Sequence, residues 1–232
     1  MNKVTLTGAD DRTDISAMID LSAEFPFTEW GILVSAKQEG SSRFPSRNWI
    51  ERFCHRAAVP AVAVSMHVCG SWVRAMLRGQ LDWNALPEVR IVADRVQVNT
   101  HAEEHISNVA FLDWIGERNR KQFIIQLDAV NDHILDAAFA RKLNVAGLFD
   151  GSHGAGVLPA DWPSPRYRDV YYGYAGGLGP ENVVEQVGKI AKAAAWHKPG
   201  FWIDMEGRVR THEEFDLAKV RRVLELCAPL VG

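Results

Sequence analysis

The sequence predicts a single (β/α)₈ TIM barrel, the α/β class with one closed parallel sheet. Three observations lead there. The 232 residues divide into eight units of 29, about one strand, one helix and two short loops. Strand-like and helix-like patches alternate from end to end, which gives parallel strands joined by right-handed crossovers. Residues 61–68 are almost continuously apolar, the pattern of a strand covered on both faces.

The elements follow in order. Val4-Thr5-Leu6-Thr7 is a first strand, ended by Gly8. Residues 11–25 carry Ile15, Met18, Ile19 and Ser22 on one helical face. Residues 30–34 form the second strand. A helix starts at about Ser46, a good N-cap, and runs through Trp49, Ile50, Phe53 and Cys54. After the third strand, 71–78 is a short helix, and 81–87 is an irregular stretch with a Trp and a Pro. Val96-Gln97-Val98 is the fourth strand. Residues 106–118 form a helix burying Phe111, Leu112 and Ile115. The fifth and sixth strands are 123–127 and 145–149, separated by a helix over 132–142. A Gly/Ser/Pro-rich loop covers 151–165. The seventh strand is 170–174, and Ile203 centres the eighth. Helices over about 180–194 and 217–227 follow these two. Trp49, Trp114 and Trp196 are read as helix residues used in packing, and Trp72 as a residue near a ligand's reach.

Composition narrows the function classes. Hydrophobic residues at 47% exclude a disordered chain. A net charge of −3 gives no basic excess for nucleic acid or an anionic membrane. The three cysteines, Cys54, Cys69 and Cys227, are too few and unpaired in spacing for a disulfide framework or a zinc finger. No apolar run has the length of a signal peptide or a membrane span. A single domain over 1–232 in the cytoplasm is expected. Neither a GxGxxG turn nor a GxxxxGK[ST] loop occurs, so no nucleotide cofactor is expected.

Four stretches then stand out. They are Thr5-Leu6-Thr7-Gly8, Ser42-Arg43-Phe44, Leu148-Phe149-Asp150 with Gly154-Ala155-Gly156 and Asp161-Trp162, and Ala175-Gly176-Gly177-Leu178-Gly179-Pro180-Glu181-Asn182-Val183. In this order they resemble the phosphoribosylanthranilate isomerase family, whose corresponding motifs read Lys-Ile-Cys-Gly, Ser-Pro-Arg-Tyr, Leu-Leu-Asp with Phe-Asp-Trp, and Ala-Gly-Gly-Leu-Thr-Pro-Glu-Asn-Val. The last match is the most specific. Val96-Gln97-Val98, Ile203-Asp204 and the helix around Leu217 fit the same order.

The resemblance implies a TIM-barrel isomerase that converts a phosphorylated aminoaldose to an aminoketose. It implies that Asp150 is the general acid, that Arg43 grips a carboxylate, and that the seventh and eighth loops hold phosphate. It places Thr7 where the family has its cysteine base. A threonine hydroxyl does not ionise near neutral pH, so Thr7 cannot serve as that base. The eighth strand continues Asp204-Met205-Glu206-Gly207-Arg208, where the family has Ser-Ser-Gly. Glu206 repels a phosphate and Arg208 attracts one, so the sign depends on which faces the mouth. Gly176 and Gly177 suit a close backbone approach to an anion, with Pro180 and Glu181 in the first helical turn.

Chemistry in a barrel comes from the strand ends. Residues two apart point the same way, so His67 pairs with Cys69, Gln126 with Asp128, and Asp204 with Glu206. Tyr172 and Tyr174 also end a strand. The catalytic candidates are Asp150, His67, Cys69 and Asp128. The binding candidates are Thr7, Arg43, Gln97, Gly176, Gly177, Asp204, Glu206, Gly207 and Arg208. The expected partner is a small phosphorylated substrate, and a homodimer is compatible with the chain. Lys37 to Ser42 is read as a solvated loop, with a lid as its alternative. Two other functions stay open. One is a metal-dependent aldolase or lyase using Asp128, Asp150 and Asp204 with His67 or His153. The other is a barrel that binds a small molecule without turning it over.

Overall fold

The alternation of side chains along each strand sorts the chain into an inside and an outside. In the computed structural model, which describes residues 1–58, 62–86, 92–100, 108–118, 120–128, 131–151 and 155–232, eight parallel strands close into one barrel in chain order. They are β1 (Lys3–Thr7), β2 (Thr28–Val34), β3 (Ala63–Val68), β4 (Arg95–Val98), β5 (Gln122–Leu127), β6 (Val145–Phe149), β7 (Tyr171–Ala175) and β8 (Phe201–Met205). The seam pairs β1 with β8, setting Thr5 beside Asp204.

The described helices are α1 (Ile15–Glu24), α2 (Arg47–Ala57), α3 (Ser71–Leu77), α4 (Asn108–Gly116), α5 (Asp132–Ala140), α6 (Val183–Ala193) and α7 (Leu217–Cys227). Their starts follow capping chemistry. Ser46 accepts from the Trp49 amide, as its position before an apolar periodic run predicts. Asp14 accepts from the Ser16 and Ala17 amides, so α1 starts at Ile15 rather than near residue 11. The preceding residues are held in a turn by Thr13 N–H to Asp10 O at 2.9 Å.

The loop expected after β6 is present, and the place of Trp196 is corrected. Among the described residues no helix follows β6. The Gly/Pro loop covers that flank itself. Trp162 is buried, packs edge-on against Tyr174 at 5.8 Å, and donates from Nε1 to Gln186 Oε1 at 2.9 Å. Trp196 lies beyond the end of α6 and is 47% exposed, so it is not a packing residue of a helix. Trp49 and Trp114 are buried as expected, and Trp72 is half-buried against the core.

The larger core lies between sheet and helices, and takes Val4, Leu6, Val64, Met66, Ile203 and Met205 from the outer faces of their strands. The alternate positions point inward. Burying these layers is what closes the barrel, at roughly 1.5–3 kcal/mol for each large apolar side chain.

The barrel floor is unusual in being charged. Glu29 of β2 and Arg95 of β4 are both buried and form a two-pronged ion pair, Arg95 Nε to Glu29 Oε1 at 2.9 Å and Arg95 Nη2 to Oε2. Thr5 donates to Glu29 Oε2 at 2.8 Å, and Lys3 reaches Oε1 at 3.1 Å. Burial alone would raise the Glu29 carboxyl, but Arg95, Lys3 and Thr5 outweigh it and hold it at about 2. The Arg95 guanidinium lies over the Trp202 ring at 4.2 Å. Trp202 packs with Ile124, Ala146 and Leu148 in a second, smaller core. Gly173 is required there, because a Cβ at that position would overlap the Trp202 indole.

Candidate active site

Above this floor the inward positions at the strand ends converge. Thr7 of β1, His67 of β3, Gln97 of β4, Gln126 of β5, Asp150 after β6 and Asp204 of β8 line one cavity of about 120 Å³. This is the C-terminal end of the strands, where barrel enzymes carry their chemistry.

Asp204 is the best-defined group in it. Thr7 Oγ1 donates to Asp204 Oδ1 at 3.1 Å. His67 Nε2 lies 3.8 Å from Asp204 Oδ2 and has no hydrogen-bond partner among the described residues. Burial pushes the Asp204 carboxyl up to about 8. The hydrogen bond from Thr7 opposes this, Glu29 and Glu206 add to it, and Arg95 opposes it. Burial depresses His67 to about 3, against the pull of Glu29 and with the help of Arg95. His67 is therefore a neutral imidazole beside a carboxyl that holds or gives up a proton near neutral pH.

Asp150 sits across the cavity, buried, with Gln126 Nε2 donating to its Oδ2 at 3.1 Å. Gln97 donates to Asn99 Oδ1 at 2.8 Å, and both side chains border the cavity. The rim is completed by Gly176, Gly177, Glu206, Gly207 and Arg208. Gly177 has φ +62°, and a Cβ on it would meet the Leu158 amide nitrogen at 2.7 Å, so the turn packs against the sixth loop. Asn182 fastens the turn from below. Its Nδ2 donates to Gly177 O at 2.9 Å, and its Oδ1 accepts from the Gly179 amide at 3.0 Å. Pro180 and Glu181 lie in this turn, and α6 begins only at Val183. Both Glu206 and Arg208 border the cavity, which settles the question of which one faces the mouth. Arg43 Nη1 pairs with Glu206 Oε1 at 2.7 Å, so the charge of Glu206 is balanced.

Several candidates lie elsewhere. Cys69 is past the end of β3 and outside the cavity, accepting from Asn99 Nδ2 at 3.2 Å. Burial pushes its thiol up to about 11, so it is not a base near neutral pH. Asp128 caps its own loop, accepting from the Asn131 amide at 2.7 Å, and does not line the cavity. Arg43 lines a neighbouring groove with Ser42, Arg210 and His212 rather than the cavity itself. Ser42 donates to Glu213 O at 3.1 Å, so the Lys37 to Ser42 loop is tied to the eighth loop. Tyr172 and Tyr174 point outward into the main core. Among the described residues no group of three or more His, Cys, Asp and Glu is placed to hold a metal ion. His153 lies outside the described residues.

Three contributions escaped the sequence reading. A Cβ at Gly31 would overlap Thr7 Oγ1 and press on His67 Cε1 at 2.9 Å, so this glycine makes room for the Thr7–Asp204–His67 group. Glu29 and Arg95 set the field beneath Asp204, yet both fall just outside the apolar runs that mark β2 and β4. Arg210 donates to Gly8 O, to Ser42 Oγ at 2.8 Å and to Glu213 O, clamping the first, second and eighth loops. It opens a short hairpin, β9 (Arg210–Thr211) with β10 (Glu214–Phe215). The two-residue turn between them holds His212 and Glu213 at φ +48° and +64°, the signal of a type I′ turn.

No family model and no curated protein matches the chain. Solved structures do align with it. Monomers made from the dimeric phosphoribosylanthranilate isomerase of Thermotoga maritima give a TM-score of 0.58 at 17% identity, over 99% of this chain and 100% of that one. The N-(5'-phosphoribosyl)anthranilate isomerase of Pyrococcus furiosus gives 0.55 at 11%, over 99% and 100%. A phospho-2-dehydro-3-deoxyheptonate aldolase of Thermotoga maritima gives 0.56 at 13%, over 98% and 69%. These similarities are of fold, and the TIM-barrel architecture is the one the sequence predicts. Among the described residues no helix is long and apolar enough to cross a membrane.

Proposed function

We propose that this barrel is an enzyme of the isomerase class, acting by acid–base catalysis on a small phosphorylated, sugar-like substrate. The observation that carries this reading is the division of the cavity. Asp150 and Asp204 are buried inside it, while the Gly176-Gly177 turn, Gly207 and Arg208 border its rim. A carboxyl can pass a proton to a ring or carbonyl oxygen, and glycine-rich backbone with a guanidinium beside it suits a phosphate.

In this reading Asp150, held by Gln126, is the general acid. Gln97 and Asn99 orient the substrate's hydroxyls. Phosphoribosylanthranilate is the first compound to test, and aldose phosphates are the second. The overall reaction is a 1,2-proton shift, which needs no oxidant or reductant. Turnover of either, reduced about 10²–10⁴-fold by Asp150→Asn, supports the proposal. Full turnover in Asp150→Asn, or none in the wild type with any member of the panel, overturns it.

A further inference from the structure

We propose that Asp204 is the base of the reaction, and that Thr7 and His67 are positioning residues that hold its carboxyl toward the substrate carbon. The proposal rests on the reading above and fills the place that Thr7 cannot.

The geometry is that of a carboxylate with one oxygen tied and one oxygen available. Oδ1 takes the Thr7 hydroxyl at 3.1 Å. Oδ2 faces His67 Nε2 at 3.8 Å, too far for a hydrogen bond. His67 is fully enclosed, so its ring fixes one side of the carboxyl without donating a firm bond to it. Cys69, the other nearby group with base chemistry, is turned away and bonded to Asn99. Asp150 already has Gln126 on its Oδ2 and stands at a different strand end. Two carboxyls at separate strand ends of one cavity suit two separate proton transfers.

The step balances within the substrate. Asp204 Oδ2 takes the proton from the carbon next to a C=O or C=N group. The electron pair of that C–H bond becomes the C=C bond of an enediol-type intermediate. The same carboxyl then returns the proton to the neighbouring carbon. Asp150 meanwhile supplies a proton to the oxygen or nitrogen of that C=O or C=N group, and takes back the proton of the neighbouring hydroxyl as the new C=O bond forms.

The charged groups around Asp204 come from across the barrel and from its own loop. Glu29 of β2 lies beneath it with Arg95 of β4, His67 of β3 is beside it, and Glu206 follows it just past the end of β8. The two acidic neighbours raise its proton affinity, and Thr7 and Arg95 lower it. The result is a base matched to neutral conditions rather than an ordinary exposed aspartate.

Two measurements test this. The first needs no substrate. Protein labelled with carbon-13 at the aspartate carboxyls is titrated by NMR, as wild type, Asp204→Asn and Thr7→Val. A carboxyl that titrates near pH 8, is missing in Asp204→Asn and moves upward in Thr7→Val is expected. If no such carboxyl titrates, or if Thr7→Val leaves it in place, the inference is overturned. The second follows exchange of the carbon-bound proton of phosphoribosylanthranilate and aldose phosphates in deuterium oxide. Asp204→Asn should slow it at least about 10²-fold, with partial recovery in Asp204→Glu. Wild-type exchange rates in Asp204→Asn overturn the role of Asp204 alone. No exchange in the wild type overturns the isomerase reading together with it.

Discussion

The hydroxyl of Thr7 donates to Oδ1 of Asp204 across 3.1 Å, joining the first barrel strand to the last. The two residues are 197 positions apart in the chain. This bond opposes the larger effect of burial on how tightly the carboxyl holds its proton, and it sets the first prediction. Thr7→Val is nearly isosteric and deletes the donor. The alkaline shift of Asp204 then grows, because the bond to Thr7 favours the charged form. The acidic limb of a pH–rate profile, where the base loses its proton, moves to higher pH, with substrate affinity little changed.

Glu29→Gln moves the same limb the other way. The Glu29 charge raises the Asp204 carboxyl, so its removal lowers that carboxyl's proton affinity. The substitution also leaves Arg95 buried without its carboxylate. Loss of one member of such a pair costs about 3–5 kcal/mol. Urea unfolding reads the stability loss, and the pH profile reads the shift.

Asp204→Asn is expected to be more stable than the wild type while losing activity. The unfolded carboxyl has an ordinary value of 3.8, and the folded one stands at about 8. Below the unfolded value the group is neutral in both states and costs nothing. Between the two values the unfolded state sheds its proton first, so wild-type stability falls as pH rises. Above about 8 the full penalty is present, with an upper bound on the order of 5 kcal/mol. Thermal melts across this window should therefore fall with pH in the wild type and stay flatter in Asp204→Asn.

Gly31→Ala strikes the same group from β2. The added methyl overlaps Thr7 Oγ1 and crowds His67. Overpacking of this kind costs about 1–3 kcal/mol. A lower urea midpoint is expected, together with a displaced Asp204 titration. An unchanged titration would mean that Thr7 and His67 have room to spare.

Cys69→Ser serves as the opposite case. The thiol is outside the cavity and held protonated by burial. Turnover at the wild-type level is expected, and thiol-directed reagents should not inhibit the wild type. Inactivation by such a reagent, protected by substrate, would restore Cys69 to the site.

The barrel was legible because its signals are local and repeated. Apolar runs mark β3 and β5, Ser46 marks a helix start, and Gly176-Gly177 marks the seventh turn. The site was legible where a residue stays on its strand, as for His67 and Asp204. Past a strand's end the loop decides the direction: Cys69 and Asp128, one residue beyond β3 and β5, stay outside the cavity, whereas Asp150 and Glu206, one residue beyond β6 and β8, line it. Tyr172 and Tyr174 point the same way, as their two-residue spacing requires, and hold the outer face of β7. The charged floor was not legible, because Glu29 and Arg95 are 66 residues apart and become partners only when the sheet closes. Arg210 likewise reaches Gly8 across 202 positions.

The lower end of the barrel is filled by Trp202, wedged against Gly173 and roofed by Arg95, which Glu29 grips. Leu148 belongs to this plug and also lines the cavity, so the plug is the floor on which the cavity stands. Residues 7, 97 and 150 meet the cavity from their own strand ends and contribute nothing to the plug. Exchange of these three side chains is therefore expected to leave the base of the sheet shut, with the indole as its fixed foundation.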